Sequence, residues 1–262
     1  DPSVYERLHS TPTSSYGMHE WLTTRCAKFF DRDDVAGLRT FLRDFRKFAF
    51  IIDVLDQSPK FHKLLEIGCS RGHLTSYFIK QGRDVLGVDI SPHAVRVAAE
   101  RFGDHFATPD SPRVKQGAPY DAIYHVGTIG CVADPLGMTN DFLDMLAPGG
   151  LLVFNAPDAQ SCRRLDEIWG ASTPPPDLVT MFEADFWEKQ CGARATVQVD
   201  VDPLEPYQKL LIAWERLRGQ PHVKPTGRAL LESGKPSDNG VQASPFTTAM
   251  TKVIRGMANR CG

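Results

Sequence analysis

Leu64-Leu65-Glu66-Ile67-Gly68-Cys69-Ser70-Arg71-Gly72-His73 carries an apolar run into a turn of small residues and then into a helical pattern. A strand, a tight loop and a helix in that order dock a nucleotide-type ligand at the carboxyl edge of a parallel sheet. Small residues suit the loop because the ligand approaches the backbone itself, where a Cβ would collide. A second run, Asp84–Val88, leads into Asp89, 21 positions beyond Gly68. An acid about 20 residues on, at the tip of the second strand, can accept hydrogen bonds from ribose hydroxyls. A dinucleotide fingerprint needs glycine at positions 68, 70 and 73, and here those positions hold Gly68, Ser70 and His73. The glycine that allows close helix-to-strand packing is therefore a histidine, which counts against NAD or FAD. The Gly-Lys-Ser/Thr of a phosphate loop is also missing. Glu66, just before the loop, suits a ligand with an ammonium group better than a pyrophosphate.

Outward from this loop, short apolar runs alternate with helical patterns. The runs are Lys63–Ile67, Asp84–Val88, Ala122–Val126 and Leu151–Asn155. Each is nearly all apolar, as strands covered on both faces are. Helices are expected over His73–Gln81, stopped by Gly82, and over Ser91–Phe102, with Ser91 as N-cap and Pro92 in the first turn. The expected fold is a Rossmann-like α/β domain with a doubly wound, mostly parallel sheet and helices on both faces. Residues 1–60 read as an N-terminal helical cap. Asp33 and Asp34 can start a helix in which Leu38, Phe41, Leu42, Phe45, Phe48, Ala49 and Ile52 recur at three- and four-residue steps. A shorter helical stretch begins near Tyr16 and His19. The core is expected over 61–204, with an acceptor-side insertion at 159–190. A helix over Ala184–Gln190 and a strand over Ala195–Val201 close it. Residues 205–262 read as a C-terminal extension or linker, Pro-, Gly- and Ser-rich over 219–246, ending in a helix over Thr247–Ala258.

The 262 residues are 42% hydrophobic and 24% charged, which rules out a disordered or fibrous chain. Lys and Arg total 30 against 32 Asp and Glu, so the basic excess of a phosphate-backbone binder is missing and no nucleic-acid partner is expected. No run approaches the ~18 apolar residues of a membrane span. The six cysteines form no CxxC pair and the eight histidines no HExxH, so the chain reads as metal-independent. Reduced thiols and a cytoplasmic setting are expected. The N-terminus, Asp1-Pro2-Ser3, has neither a start methionine nor a signal segment, as in an excised piece of a larger protein.

The loop resembles the first motif of class I S-adenosylmethionine-dependent methyltransferases. The likeness continues through Asp89, through Tyr120-Asp121-Ala122-Ile123, and through Leu146-Ala147-Pro148-Gly149-Gly150-Leu151-Leu152-Val153. It covers about residues 61–158. Ser70 replaces the family's middle glycine, and Ala147 replaces a frequent lysine. Pro175-Pro176-Asp177-Leu178 and Phe182 resemble a stretch of a glycan and natural-product subgroup, with Asp177 in place of its histidine.

The resemblance implies seven strands, the last pair antiparallel, and S-adenosylmethionine as cofactor, leaving as S-adenosylhomocysteine. Glu66 would face the amino end of the methionine moiety, the alternative being an acid that caps local amides. Gly68, Cys69, Ser70 and Gly72 would line the cofactor, Asp89 would take its ribose, and Ile90 would pack on its adenine. Asp110 stands where an adenine-side contact falls, and Tyr16 would cap the site. His125 is expected at the carboxyl end of the fourth strand, either lining the cofactor or acting as a base with a pKa near 6.5. The implied reaction is methyl transfer to a small molecule or glycan, first to a hydroxyl oxygen, since the Asn/Asp-Pro-Pro-Tyr/Phe of many N-methylators is replaced by His125-Val126-Gly127-Thr128. N- or C-methylation, a non-catalytic domain of a larger protein and a homodimer stay open at this point.

Overall fold

Residues 18–159, 178–183, 185–201 and 251–258 are described by a computed structural model of the chain. Helix α1 (Met18–Asp31) leads to α2 (Val35–Arg43) and α3 (Arg46–Asp56). Then come β1 (Lys63–Ile67), α4 (His73–Lys80), β2 (Asp84–Val88), α5 (Pro92–Phe102) and β3 (Phe106–Ala107). The chain continues through α6 (Pro112–Gln116), β4 (Tyr120–His125), a 3-10 turn (Ile129–Cys131), α7 (Pro135–Met145) and β5 (Leu146–Pro157). It closes with α8 (Phe186–Cys191), β6 (Ala195–Val201) and β7 (Thr251–Ala258).

The sheet runs β3-β2-β1-β4-β5-β7-β6. The first five strands are parallel, while β7 pairs antiparallel with both β5 and β6. Alternate strand residues face opposite layers. Leu64, Ala122, Tyr124 and Val153 pack beneath α1 to α5, with Leu38, Leu42, Ile51, Ile52 and Phe78. Leu65, Ile123, Leu152 and Phe154 pack on the other side with Phe142, Leu143 and Trp187. The N-terminal helices thus pack on the sheet in the same layer as α4 and α5.

Two local expectations need correction. The long aromatic helix is two helices, broken at Asp44 and Phe45, where Phe45 takes an extended backbone. The break splits one apolar stripe between two surfaces. Phe41 and Phe45 meet the Trp21 ring of α1, while Ile51, Ile52 and Leu55 go into the core under the sheet. Of the two acids expected at the start of this run, Asp34 is the cap of α2, accepting from the Gly37 amide at 2.8 Å. Of the helix expected over Thr247–Ala258, the described residues Thr251–Ala258 instead form β7, which fills the slot between β5 and β6. The run Met250, Val253, Ile254 and Met257 fits a helical stripe, but Thr251, Val253 and Ile254 are β-branched and Gly256 is a poor helix residue. Pairing with two strands decides between them, and the sheet therefore draws on residues beyond 204.

Candidate functional site

The parallel register brings one edge into line. Ile67 pairs with Val88 and with His125, Val88 with Ala107, and His125 with Phe154. Everything that follows these residues lies along the carboxyl edge. From β1 the chain winds outward to β2 and β3, then crosses back to β4 and β5. The crevice between the ends of β1 and β4 is therefore the switch point where open α/β sheets take their ligands. It is flanked by Gly68–Gly72 on one side and Gly127–Thr128 on the other, and Thr128 Oγ1 donates across it to the Ile67 carbonyl at 3.1 Å.

The loop is held by its own amides. Those of Gly68 and Cys69 donate to the Val88 carbonyl at 2.7 and 3.0 Å. The Ser70 amide donates to Asp89 Oδ2 at 2.7 Å, and the Gly72 amide to the Cys69 carbonyl at 2.9 Å. Gly68, Ser70 and Gly72 all have positive φ, which explains the demand for small residues. A Cβ on Gly68 would overlap Thr128 Oγ1, and one on Gly72 would meet the Phe106 ring.

Asp89 is 3% exposed and serves two backbones, since Oδ1 also accepts from the Ser91 amide at 2.9 Å. It ties the loop to the start of α5, where Ser91 caps the helix by accepting from the Ala94 amide. A carboxylate has about four acceptor sites, so accepting from these two amides does not by itself exhaust it. Beside it Ile90, 46% exposed, offers a bare aliphatic face. Asp110 lies on the same edge beyond β3, exposed, with Thr108 donating to it and holding its carboxyl below the usual value.

Glu66 is 3% exposed, and burial lifts its pKa to about 7. Both the Thr75 and Tyr124 hydroxyls donate to its Oε2, and Oε1 takes neither bond. Cys69 is buried, and desolvation raises its thiol well above the ordinary value, so it is an inert filler. His125 departs from expectation. It is fully buried on the layer opposite Glu66, stacked on Phe154 with ring centroids 4.5 Å apart. Burial lowers its pKa to about 3, so the ring is neutral and lacks the value near 6.5 expected of a base. Tyr16 and the Pro175–Asp177 stretch lie outside the described residues, and the insertion is described only over 178–183 and from 185 on. There the Val179 and Thr180 amides donate to the Gly130 carbonyl, drawing this segment against the turn after β4.

Sequence reasoning missed several side chains. Glu20 and Thr23, three residues apart on α1, grip Arg71 at 2.5 Å and His73 at 2.8 Å, so α1 is latched directly to the loop. His73 therefore occupies the third glycine position of a dinucleotide loop by bonding outward to a helix. Asn155 accepts from the Gly127 amide at 2.5 Å and sets the turn after β4. Lys47, in the first turn of α3, reaches the same turn. Its Nζ lies 3.9 Å from where a Gly127 Cβ would stand. No sequence signal marked these contacts, because each joins segments far apart in the chain.

The methyltransferase domain family matches residues 35–194. Among curated relatives, the ubiquinone biosynthesis O-methyltransferase of Cereibacter sphaeroides is 34% identical over 97 residues, 35% of this chain and 39% of that protein. The enzyme of the same name from Ruegeria pomeroyi is 29% identical over 140 residues, 51% of this chain and 49% of that protein. The chain thus matches half or less of these relatives' length. Among solved structures, the N-methyltransferase NodS of Bradyrhizobium japonicum, bound to S-adenosylhomocysteine, aligns with a TM-score of 0.44 at 16% identity, over 76% of this chain and 79% of that one.

A switch-point crevice with a glycine loop and acids at the ends of β1 and β2 fits a nucleoside-binding α/β domain, and the family match makes it specific. The chain belongs to the methyltransferase domain family, the class I S-adenosylmethionine-dependent methyltransferases, and its cofactor is S-adenosylmethionine. The residues present fit that group. A pyrophosphate needs free loop amides, and those of Gly68, Cys69, Ser70 and Gly72 are already bonded within the protein. A sulfonium nucleoside needs instead a carboxylate near its amino group, an acceptor for its ribose and an apolar face for its base. Glu66, Asp89 and Ile90 offer these.

Proposed function

We propose that the chain catalyses methyl transfer from S-adenosylmethionine to a hydroxyl oxygen of a small molecule or glycan. The observation that carries this reading is the switch-point crevice, where Glu66 and Asp89 stand at the ends of β1 and β2 around a loop whose Gly68, Cys69, Ser70 and Gly72 amides are already bonded within the protein. Transfer to oxygen is supported by His125-Val126-Gly127-Thr128, which lacks the Pro-Pro-aromatic stretch of many N-methylators, and by the O-methyltransferase names of the curated relatives. The seven-stranded form of the domain belongs to this reading and is supported by the pairing of β7 with β5 and β6.

When bound, S-adenosylmethionine supplies a methyl group on a positively charged sulfur, so the protein's task is chiefly alignment. In this reading Glu66 receives the ammonium of the methionine moiety on Oε1, while Thr75 and Tyr124 fix Oε2. Asp89 accepts from the ribose hydroxyls, Ile90 and Asp110 border the adenine, and Gly68, Cys69, Ser70 and Gly72 let the ligand approach the backbone. His125 stays neutral behind Phe154 and moves no proton. The test is mass-spectrometric detection of methylated product with the full chain, using panels of phenols, sugars and amines. Oxygen-methylated product from wild type, retained in His125→Phe, is the expected result. Product on amines alone would overturn the oxygen assignment, and loss of turnover in His125→Phe with intact cofactor binding would return the ring to the chemistry.

A further inference from the structure

We propose that Lys47 holds the acceptor's reacting oxygen as an anion, which makes the acceptor an acidic hydroxyl of the phenol class rather than a sugar alcohol. The inference rests on the methyl-transfer reading above and narrows its substrate.

Lys47 projects from the first turn of α3 to the turn after β4, with Nζ 3.9 Å from where a Gly127 Cβ would stand. That turn forms one wall of the switch-point crevice, opposite the cofactor loop, and is fixed by Asn155 through the Gly127 amide and by Thr128 through the Ile67 carbonyl. A rigid wall beside a long cation suits recognition of a substrate atom.

Among the described residues no carboxylate pairs with Lys47, and the titratable group that acts on it is the Cys131 thiol. The Cys131 thiol is itself bonded to the Gly127 carbonyl and raised by burial, hence neutral. The side chain is half-buried, and desolvation holds its ammonium below the ordinary lysine value. Moreover, the N-cap of α3 is Phe45, which offers no side-chain hydrogen bond, and the first turn carries Arg46 and Lys47 but no acid. The helix dipole disfavours cations there and favours an anion. A half-buried ammonium that meets no carboxylate among the described residues, at a helix start without a side-chain cap, favours a negative partner. A sugar alcohol brings no charge. A phenol does, because its oxygen ionises readily beside a cation.

The step balances. The bound phenol releases its proton to solvent and leaves an oxyanion on Lys47. That oxygen forms the new carbon–oxygen bond as the methyl's bond to sulfur breaks, and the electron pair of the broken bond stays on sulfur. The products are an aryl methyl ether and S-adenosylhomocysteine, and the opposite charges cancel.

The experiment titrates 4-nitrocatechol against the full chain saturated with S-adenosylhomocysteine, following the visible band of the ionised probe across pH. In wild type the bound probe should ionise about one pH unit or more below the free probe, as beside an opposite charge. Lys47→Met should lose that shift and weaken probe binding about tenfold or more, while Lys47→Arg keeps part of the shift. S-adenosylhomocysteine should bind all three proteins alike, which also shows that the variants fold. A shift that persists in Lys47→Met, or a probe that binds without one, overturns the role of Lys47. Failure of 4-nitrocatechol to bind when S-adenosylhomocysteine does overturns the phenol class alone. Failure of S-adenosylhomocysteine to bind wild type overturns the methyl-transfer reading with it.

Discussion

Glu66 and His125 sit one strand apart, on β1 and β4, and burial acts on them in opposite senses. For the acid it raises the pKa to about 7, and for the imidazole it lowers it to about 3. Both shifts favour the neutral form, as low polarity must. Between its ordinary 4.5 and about 7, Glu66 keeps a proton in the folded chain that the unfolded chain has lost. The ligand-free fold therefore loses stability as pH rises through that window, with no further loss above it. A ligand ammonium reverses this preference, because it needs the carboxylate. Affinity for S-adenosylhomocysteine should thus climb as pH passes from 6 to 8, spanning the pKa of about 7, with a proton released on binding below that value. Calorimetry in buffers of different ionisation heat measures that proton, and Glu66→Gln should abolish both its release and the pH slope. An unchanged slope in the variant would place the titrating group elsewhere.

These two residues also mark what a linear sequence can and cannot display. Glu66, Gly68, Gly72 and Asp89 are legible because loop and acid fall within about 20 residues and obey a local steric rule. The environment of His125 is not, since its depth depends on Phe154 and Phe142 lying against it. Lys47 is hidden for the same reason, within a run whose aromatic spacing reads as packing.

At the scale of elements, the strand-to-helix turns decide how close the backbone of one unit comes to the next. Gly72 has φ +76°, and a Cβ there would stand 2.5 Å from the Phe106 ring, which β3 holds against α5. Gly82 has φ +75° and open space around it. Gly72→Ala should therefore cost about 2–4 kcal/mol from strain plus overpacking, and Gly82→Ala only about 1–2 kcal/mol from strain alone. Urea unfolding compares the two directly, and equal costs would mean that Phe106 yields freely. β1, β2 and β6 match their expected bounds because apolar runs and Gly or Pro punctuation are local signals. The break between α2 and α3 escapes such signals. Its periodicity is continuous, and only the need to serve both α1 and the sheet divides it.

For the molecule as a whole, the most consequential departure is β7. It lies between β5 and β6, although some 49 residues separate it from Val201 along the chain. Long-range strand pairing leaves little trace in composition, so a helical stripe and a strand cannot be told apart there from the sequence. Ending the chain after residue 250 would remove the partner of both flanking strands. That truncation should lower the urea midpoint markedly and expose apolar surface to a hydrophobic dye. An unchanged midpoint would mean that the sheet is complete without β7.

The central claim is that the crevice between β1 and β4 is an S-adenosylmethionine pocket organised by Asp89. Calorimetric titration of S-adenosylmethionine, S-adenosylhomocysteine and NAD into wild type and Asp89→Ala tests it most directly. The account predicts micromolar binding of both sulfur ligands, no heat from NAD, and about tenfold or greater weakening in the variant, as expected when a charged acceptor is removed. Binding of NAD alone, or of the sulfur ligands with equal affinity in Asp89→Ala, would contradict it.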